Sequence, residues 1–360
     1  MSTAQTKPKT KRIARHSLPT GILGVEPADD PNYVFAACVD GVYRTNVETG
    51  DSKKLYTHDS YASNVLLHRE SKTLISSGYD GHIKWFDLQK QTVIRDVAAH
   101  SFWSWDMAIS PDGTKIASVT GQYLAGGERY EPREQSEPCV KVFDAKTGDE
   151  LVALPHVPSV QAVAISRDSR FVAAANIMGE IRIWNIDSGD LESKWMTPDF
   201  TSWGIIKSHC YIGGIFALEF TPDGEHLLAA GMGPMRDPMA GNGRQLWQRF
   251  AFLEEPVRKV DETKKDQAGE GLMETLASSP SNEYFLMGGR LRGGKWNAAI
   301  FDAESGDNLH SIDTQCRMTD AFFTSDGNRL VTVGCKRQPE PKNGKFGPWG
   351  TLEIHDIESA

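Results

Sequence analysis

Apolar and polar positions along this chain change over every few residues, never with the spacing of a long amphipathic helix. Five stretches share one pattern: "AISPDGTKIASV" from Ala108, "AISRDSRFVAAA" from Ala164, "EFTPDGEHLLAA" from Glu219, "FTSDGNRLVTV" from Phe323 and a weaker "ASSPSNEYFLM" from Ala277. Each is an apolar strand, a turn rich in Pro, Asp or Gly, and a second apolar strand. A second set recurs along the chain: "VKVFDAKTGDEL", "IRIWNIDSGDLE" and "AAIFDAESGDNL", with "YRTNVETGDSK" early and "LEIHDIES" at the end. Here a strand ends in a turn whose Gly can take positive φ, and another strand begins.

One landmark per unit, the residue closing the third strand, falls at Asn46, Asp87, Asp144, Asn185, Gln248, Asp302 and Asp356. The intervals are 41, 57, 41, 63, 54 and 54 residues, so the shortest is the unit and four units carry insertions. A four-stranded antiparallel sheet cannot bury both faces alone, and seven of them in succession predict a closed all-β ring, a seven-bladed β-propeller. The expected blades span about 20–56, 57–97, 98–154, 155–195, 196–260, 261–312 and 313–360, all in one domain. The last blade has residues for three strands only, so 11–19 is expected to supply its outer strand, with 1–10 as a basic flexible tail. Closure in that way removes an exposed sheet edge.

Blade 2 reads "THDSYASNVLLHRESKTLISSGYDGHIKWFDLQ", and its units resemble WD repeats. His58, Ser76 and Asp80 match that family's structural hydrogen-bond network, while Phe86 stands where its Trp would be and brings no indole N–H. The resemblance therefore implies an incomplete network in this blade. Blade 4 keeps His156 and Trp184 but has Ala174 and Met178 at the Ser and Asp positions; blade 7 has His355-Asp356. The resemblance runs from about Lys11 to the end of the chain and implies the propeller fold, with His58, His100 and His156 structural. It leaves function open, because this fold hosts scaffolds, readers and enzymes alike.

Insertions fall where second and third strands join, or between blades, which is one face of the ring. They are "GQYLAGGERYEPREQSEP", "MTPDFTSWGIIKSHCYIGG", "GMGPMRDPMAGNGRQ", "GGRLRGGKWN" and "GCKRQPEPKNGKFGPWG". In blades 5 to 7 these loops carry more cations than acids, among them Arg236, Arg290, Arg292, Lys295, Lys336, Arg337 and Lys345. Trp296, Phe346 and Trp349 lie among the charges, and Trp103 and Trp105 enter blade 3 in "HSFWSWDM". Trp and Arg are the residues most enriched at energetic centres of interfaces. These twelve side chains form the candidate partner-binding set; the other reading of the aromatics is that they lid their own blades. The partner expected is a protein or peptide of acidic character.

Net charge is −9, which speaks against nucleic acid as the main ligand. No apolar run approaches 18 residues, so no membrane span is expected. Five scattered cysteines without CxxC spacing fit a reducing cytoplasm, and neither a metal nor a cofactor is expected. His209-Cys210 with Cys316 and Cys335 has no ligand spacing. The chain is taken as a monomer. The runner-up reading is a propeller enzyme, a lactonase-like hydrolase or a cofactor-dependent one, with Glu128, Arg129, Arg133, His209 or Asp320 at the mouth of the central channel. That chemistry needs a base and an anion clamp converging there, and no catalytic motif marks one.

Overall fold

A computed structural model describes residues 8–122, 125–126, 131–132, 137–200, 214–237, 242–291, 294–336 and 343–359; at 125, 126, 131, 132, 235–237, 242, 291 and 359 it describes backbone only. Turn chemistry sets the strand ends. In the "SPDG" turn Ser110 Oγ donates to Asp112, which also accepts from Thr114 N–H, and Gly113 takes φ +73°, a left-handed value that suits glycine.

Seven four-stranded antiparallel sheets follow one another. Their inner strands are Ile22–Pro27, Ala62–His68, Asp106–Ile109, Val160–Ile165, Gly214–Phe220, Gly271–Ser278 and Arg317–Phe323. Each packs beside the next, and the seventh beside the first, so the sheets form a ring. The chain is a seven-bladed all-β propeller. Its core lies in the seams: Tyr56 and Phe86 meet between blades 1 and 2, Phe143 and Trp85 between 2 and 3, Trp247 and Phe301 between 5 and 6.

The last blade pairs Arg317–Phe323, Arg329–Cys335 and Gly350–Ser359, then takes Pro8–Leu18 as its outer strand. This strand starts inside the expected tail: Pro8 already faces Ser359. Its pairing skips Ile13, because Arg12 faces His355 and Ala14 faces Ile354. A β-bulge of this kind reverses the inward–outward alternation beyond it. Ile13 is left 45% exposed, whereas Leu18 is fully buried. The bulge also lets Arg12 and Arg15 reach one acceptor: both lie within 3.2 Å of Glu353 Oε1, a carboxylate only 1% exposed.

The blade 5 insertion turns out to be largely strand, and the blade 3 insertion carries a short strand pair. In blade 5 the second and third strands run on as Leu227–Asp237 and Asn242–Ala251, and in blade 3 Ala125–Gly126 pairs with Glu131–Pro132. The blade 5 landmark also moves. Leu227 pairs with Phe250 as Leu74 pairs with Phe86, so Ala251, not Gln248, is the equivalent of Asp87.

Candidate functional site

At the start of the inner strands the central channel opens into a cavity of about 530 Å³ to which all seven blades contribute. One wall is aromatic. Trp103 stacks on Tyr79 with centroids 4.6 Å apart and planes 5° off parallel, and on Phe102 at 5.2 Å and 11°. Trp105 meets both Tyr79 and Trp103 edge-on and donates its indole N–H to the Gly121 carbonyl at 2.9 Å. Trp103 remains 41% exposed.

The wall across the channel is charged. Glu274, on the inner strand of blade 6, accepts from Nε and Nη2 of Arg317 at 2.6 and 2.8 Å, while Arg290 lies 3.7 Å away. Burial pulls the Arg317 guanidinium down, but the Glu274 charge and its hydrogen bonds outweigh that and hold it above its ordinary value. Burial pushes the Tyr79 phenol up to about 12. The cavity thus sets flat aromatics and an internally paired arginine–carboxylate cluster in one lining.

The loop Gly334–Gly350 adds to the aromatic wall. Phe346 packs edge-on against Tyr61 at 6.2 Å and 83°, Tyr61 lies 5.7 Å from Tyr79, and Phe346 meets Trp349 at 6.4 Å. Blade 1 has only a short turn on this face, at Val39–Asp40, so the blade 7 loop reaches past it to the junction of blades 1 and 2. Ring contacts thus run unbroken from Phe102 to Trp349. Lys336 and Lys345 are exposed beside them, and the Lys336 N–H donates to the Trp349 carbonyl at 3.0 Å.

The structure therefore gathers Trp103, Trp105, Arg290, Phe346 and Trp349 of the candidate set. Trp296 goes elsewhere: half-buried, it packs on the blade 5–6 core near Phe301, and its carbonyl accepts from Gln245. Here the lid reading holds. Lys295 beside it is exposed. Arg292 and Arg337, and the side chain of Arg236, lie outside the described residues, as do Glu128, Arg129, Arg133, His209 and Cys210. Sequence reasoning passed over Tyr61, Tyr79, Phe102, Glu274 and Arg317. A usable signal existed for Glu274, a lone acid inside the apolar strand "GLMETLAS".

Below the mouth the channel wall carries carboxylates that join blades. Asp320 accepts from Val25 N–H at 2.8 Å and from Ala321 N–H, Asp106 from Val163 N–H at 3.0 Å, Glu219 from Ser278 N–H at 3.1 Å. Burial pushes Asp320 and Glu26 up to about 7 and Asp106 to about 6. Asp320, Asp106 and Glu219 each give one oxygen to a neighbouring blade. No histidine lines the mouth among the described residues.

The histidines that match the repeat pattern are packed into blades. His58 Nδ1 sits 3.1 Å from Asp80 and Nε2 2.8 Å from Ser76 Oγ. The network is not short of a donor, contrary to expectation. Tyr56, from the outer strand of blade 1, stacks on Phe86 at 4.7 Å and donates its hydroxyl to Ser76 at 2.9 Å. His100 and His156 are buried neutral, each pushed down to about 3 by desolvation.

No family model matches the chain. It is similar to Apoptotic protease-activating factor 1 of Rattus norvegicus, 27% identical over 164 residues that are 45% of this chain and 12% of that protein. It is also similar to U3 small nucleolar RNA-associated protein 4 homolog of Homo sapiens, 26% identical over 201 residues, 55% of this chain and 27% of that one. With Serine-threonine kinase receptor-associated protein of Mus musculus it shares 20% identity over 235 residues, 58% of this chain and 57% of the relative. The chain thus spans between an eighth and somewhat over half of the length of these curated relatives. Seven blades in a ring and a buried His–Ser–Asp network in blade 2 support the resemblance to WD-repeat β-propellers.

Proposed function

We propose that this protein is a non-catalytic interaction module that takes a protein or peptide partner of acidic character on the face carrying the channel mouth. The observation that supports this best is the unbroken row of ring contacts from Phe102 to Trp349, whose Phe102, Trp103 and Tyr79 line one cavity with the Arg290–Glu274–Arg317 cluster. Aromatic anchors ringed by cations suit an acidic segment with apolar content. The enzyme reading finds less support, since Glu274 is committed to Arg317 and the channel carboxylates to backbone N–H groups. The relatives are themselves named for association with other components, a kinase receptor and a small nucleolar RNA. We place the module in the cytoplasm as a monomer; Cys38, Cys316 and Cys335 are free thiols, which agrees with a reducing compartment.

The test is affinity capture followed by mass spectrometry, comparing wild type with Lys295, Lys336 and Lys345 all changed to Glu. These side chains are exposed, so the melting temperature should hold. Capture of the main partner should disappear, and in the wild type it should weaken steeply with salt. Undiminished capture by the triple variant would remove this face from consideration.

A further inference from the structure

The inner strands share a bulge at one level. In six blades the pairing of inner and second strand skips one residue: Leu23, Ser63, Gln161, Phe216, Glu274 and Thr319 in turn. Blade 3 places Trp105 at the same level, directly ahead of its inner strand, with its backbone N–H donating to the Val119 carbonyl. A bulge sets two residues of one strand against one of the other, so consecutive side chains can both turn to the channel. All seven residues line the mouth cavity and also a second cavity of about 280 Å³ beneath it. They form a collar between the two, to which Leu23, Trp105 and Phe216 from alternate blades bring apolar surface.

Below the collar the charge changes sign. Among the described residues the lower cavity is lined by Asp106, Asp320 and Glu274 and by no Lys, Arg or His. Glu274 is held from above by Arg317 and Arg290. Asp106 and Asp320 have no such cation. Among the described residues Asp106 accepts from Asn64 Nδ2 at 2.9 Å and from the N–H groups of Met107 and Val163. Asp320 accepts from the N–H groups of Val25 and Ala321 and, at 3.5 Å, from the Thr275 hydroxyl. Burial, and with it the charge of Asp106, pushes the Asp320 carboxyl up to about 7, so the two acids act on one space. Each oxygen of both carboxylates already accepts a bond, which leaves single lone pairs on separate groups. That suits an ammonium with three separately aimed donors better than a guanidinium, whose fork takes both oxygens of one carboxylate.

We propose that the lower cavity binds a primary ammonium group carried on an unbranched alkyl stem. The stem crosses the collar against Leu23, Trp105 and Phe216, and the ammonium meets Asp106 and Asp320. Trp105 adds the attraction of its ring face for a cation. Two sources share this chemistry, a lysine side chain of a protein segment lying across the mouth and a free diamine. The site does not rest on the acidic-partner reading of the loop face, because Lys295, Lys336 and Lys345 line neither cavity.

The full chain would be titrated by ligand-observed NMR with pentylammonium, 1-pentanol and pentylguanidinium. The titration belongs at about pH 8, where Asp320 is mostly ionised and an alkylammonium, like lysine, keeps its charge. Pentylammonium should bind at least tenfold more tightly than the other two. Gln161→Lys brings an ammonium from the collar itself and should weaken pentylammonium at least tenfold, while Gln161→Met should leave it within about twofold. Asp106→Asn with Asp320→Asn decides the matter should Gln161→Lys not fold; pentylammonium should then bind no better than 1-pentanol. The triple Lys→Glu variant of the loop face should keep the preference, so that loss of partner capture and loss of this site are read separately. Ac-Gly-Lys-Gly-NH2 against 1,5-diaminopentane names the source: tenfold tighter binding of the peptide supports the site as a lysine receptor, and the reverse supports it as a diamine site. Equal binding of pentylammonium and 1-pentanol, or a preference that survives both Gln161→Lys and the paired Asp→Asn change, overturns the proposal.

Discussion

Cutting the chain back to residue 19 removes a strand whose losses can be counted. Leu18 is fully buried, and its exposure costs about 1.5–3 kcal/mol. Glu353, 1% exposed, loses both Arg12 and Arg15 and keeps only His355, and orphaning a buried charge costs about 3–5 kcal/mol. The two together are about 5–8 kcal/mol, comparable to the whole stability of many domains. The freed strand Gly350–Ser359 also becomes an unpaired edge open to aggregation. A chain of residues 8–360 should melt with the full chain, whereas 19–360 should melt at least about 10 °C lower or precipitate, judged at roughly 2 °C per kcal/mol for a protein this large. A synthetic peptide of residues 8–19 should restore part of the loss in trans. Arg12→Gln with Arg15→Gln in the full chain isolates the electrostatic share. Differential scanning fluorimetry and urea unfolding read all of these; equal midpoints for the two truncations would refute the closure argument.

Tyr56→Phe removes the donor to Ser76 and should cost about 0.5–1.5 kcal/mol in urea unfolding, with no change in partner capture. Trp103→Ala, at a 41% exposed anchor, should cost about 2 kcal/mol or more of partner binding at constant melting temperature, while Trp296→Ala should do the reverse; a swap of these outcomes would reassign the two rings. Arg317→Met removes both hydrogen bonds to Glu274 and leaves it only Arg290 at 3.7 Å, so it should destabilise more than the double change with Glu274→Gln, a ranking that calorimetry can check. Asp320 and Glu26 keep protons in the fold up to about pH 7, whereas unfolded carboxyls lose theirs near pH 4. The stability this represents is therefore present at low pH and fades as pH rises through about 7. Buried neutral His100 and His156 act in the opposite direction only below the ordinary histidine pKa near 6.5, so the urea midpoint should fall between pH 6.5 and 8, less so in Asp320→Asn; a rising midpoint would contradict the burial argument.

The ring was legible because its cause is local. Turns such as Ser110–Gly113 carry their geometry in their own residues, and their repetition counts the blades. What escaped depends on pairing across distance. Nothing in "TKRIARHSL" marks Ile13 as the bulged residue, so its apolar side chain reads as core and the alternation looks poor. Tyr56 completes a network belonging to another blade, visible only once the seam is assembled. Phe346 reads as one aromatic among charges until the loop is seen crossing blade 1 to reach Tyr61. In blade 5 a run of apolar residues on both sides of Gln248 hid the register, and pairing alone set it. The Glu274–Arg317 pair joins positions 43 residues apart, a contact that only adjacent inner strands create.

Arg12 and Glu353 are 341 residues apart in the chain, and the closing strand cannot pair until its partner has been made. At roughly 5–20 residues per second of synthesis, Pro8–Leu18 waits on the order of 20–70 s for Gly350–Ser359, while the first six blades can already assemble. For that interval the nascent chain carries an open curved stack with a raw edge at each end. The bulged, arginine-bearing strand has a place in this delay: two arginines that need a buried acceptor and a misfit residue make it a poor match for a sheet edge that lacks a buried glutamate, so it is held in reserve for the edge that carries Glu353.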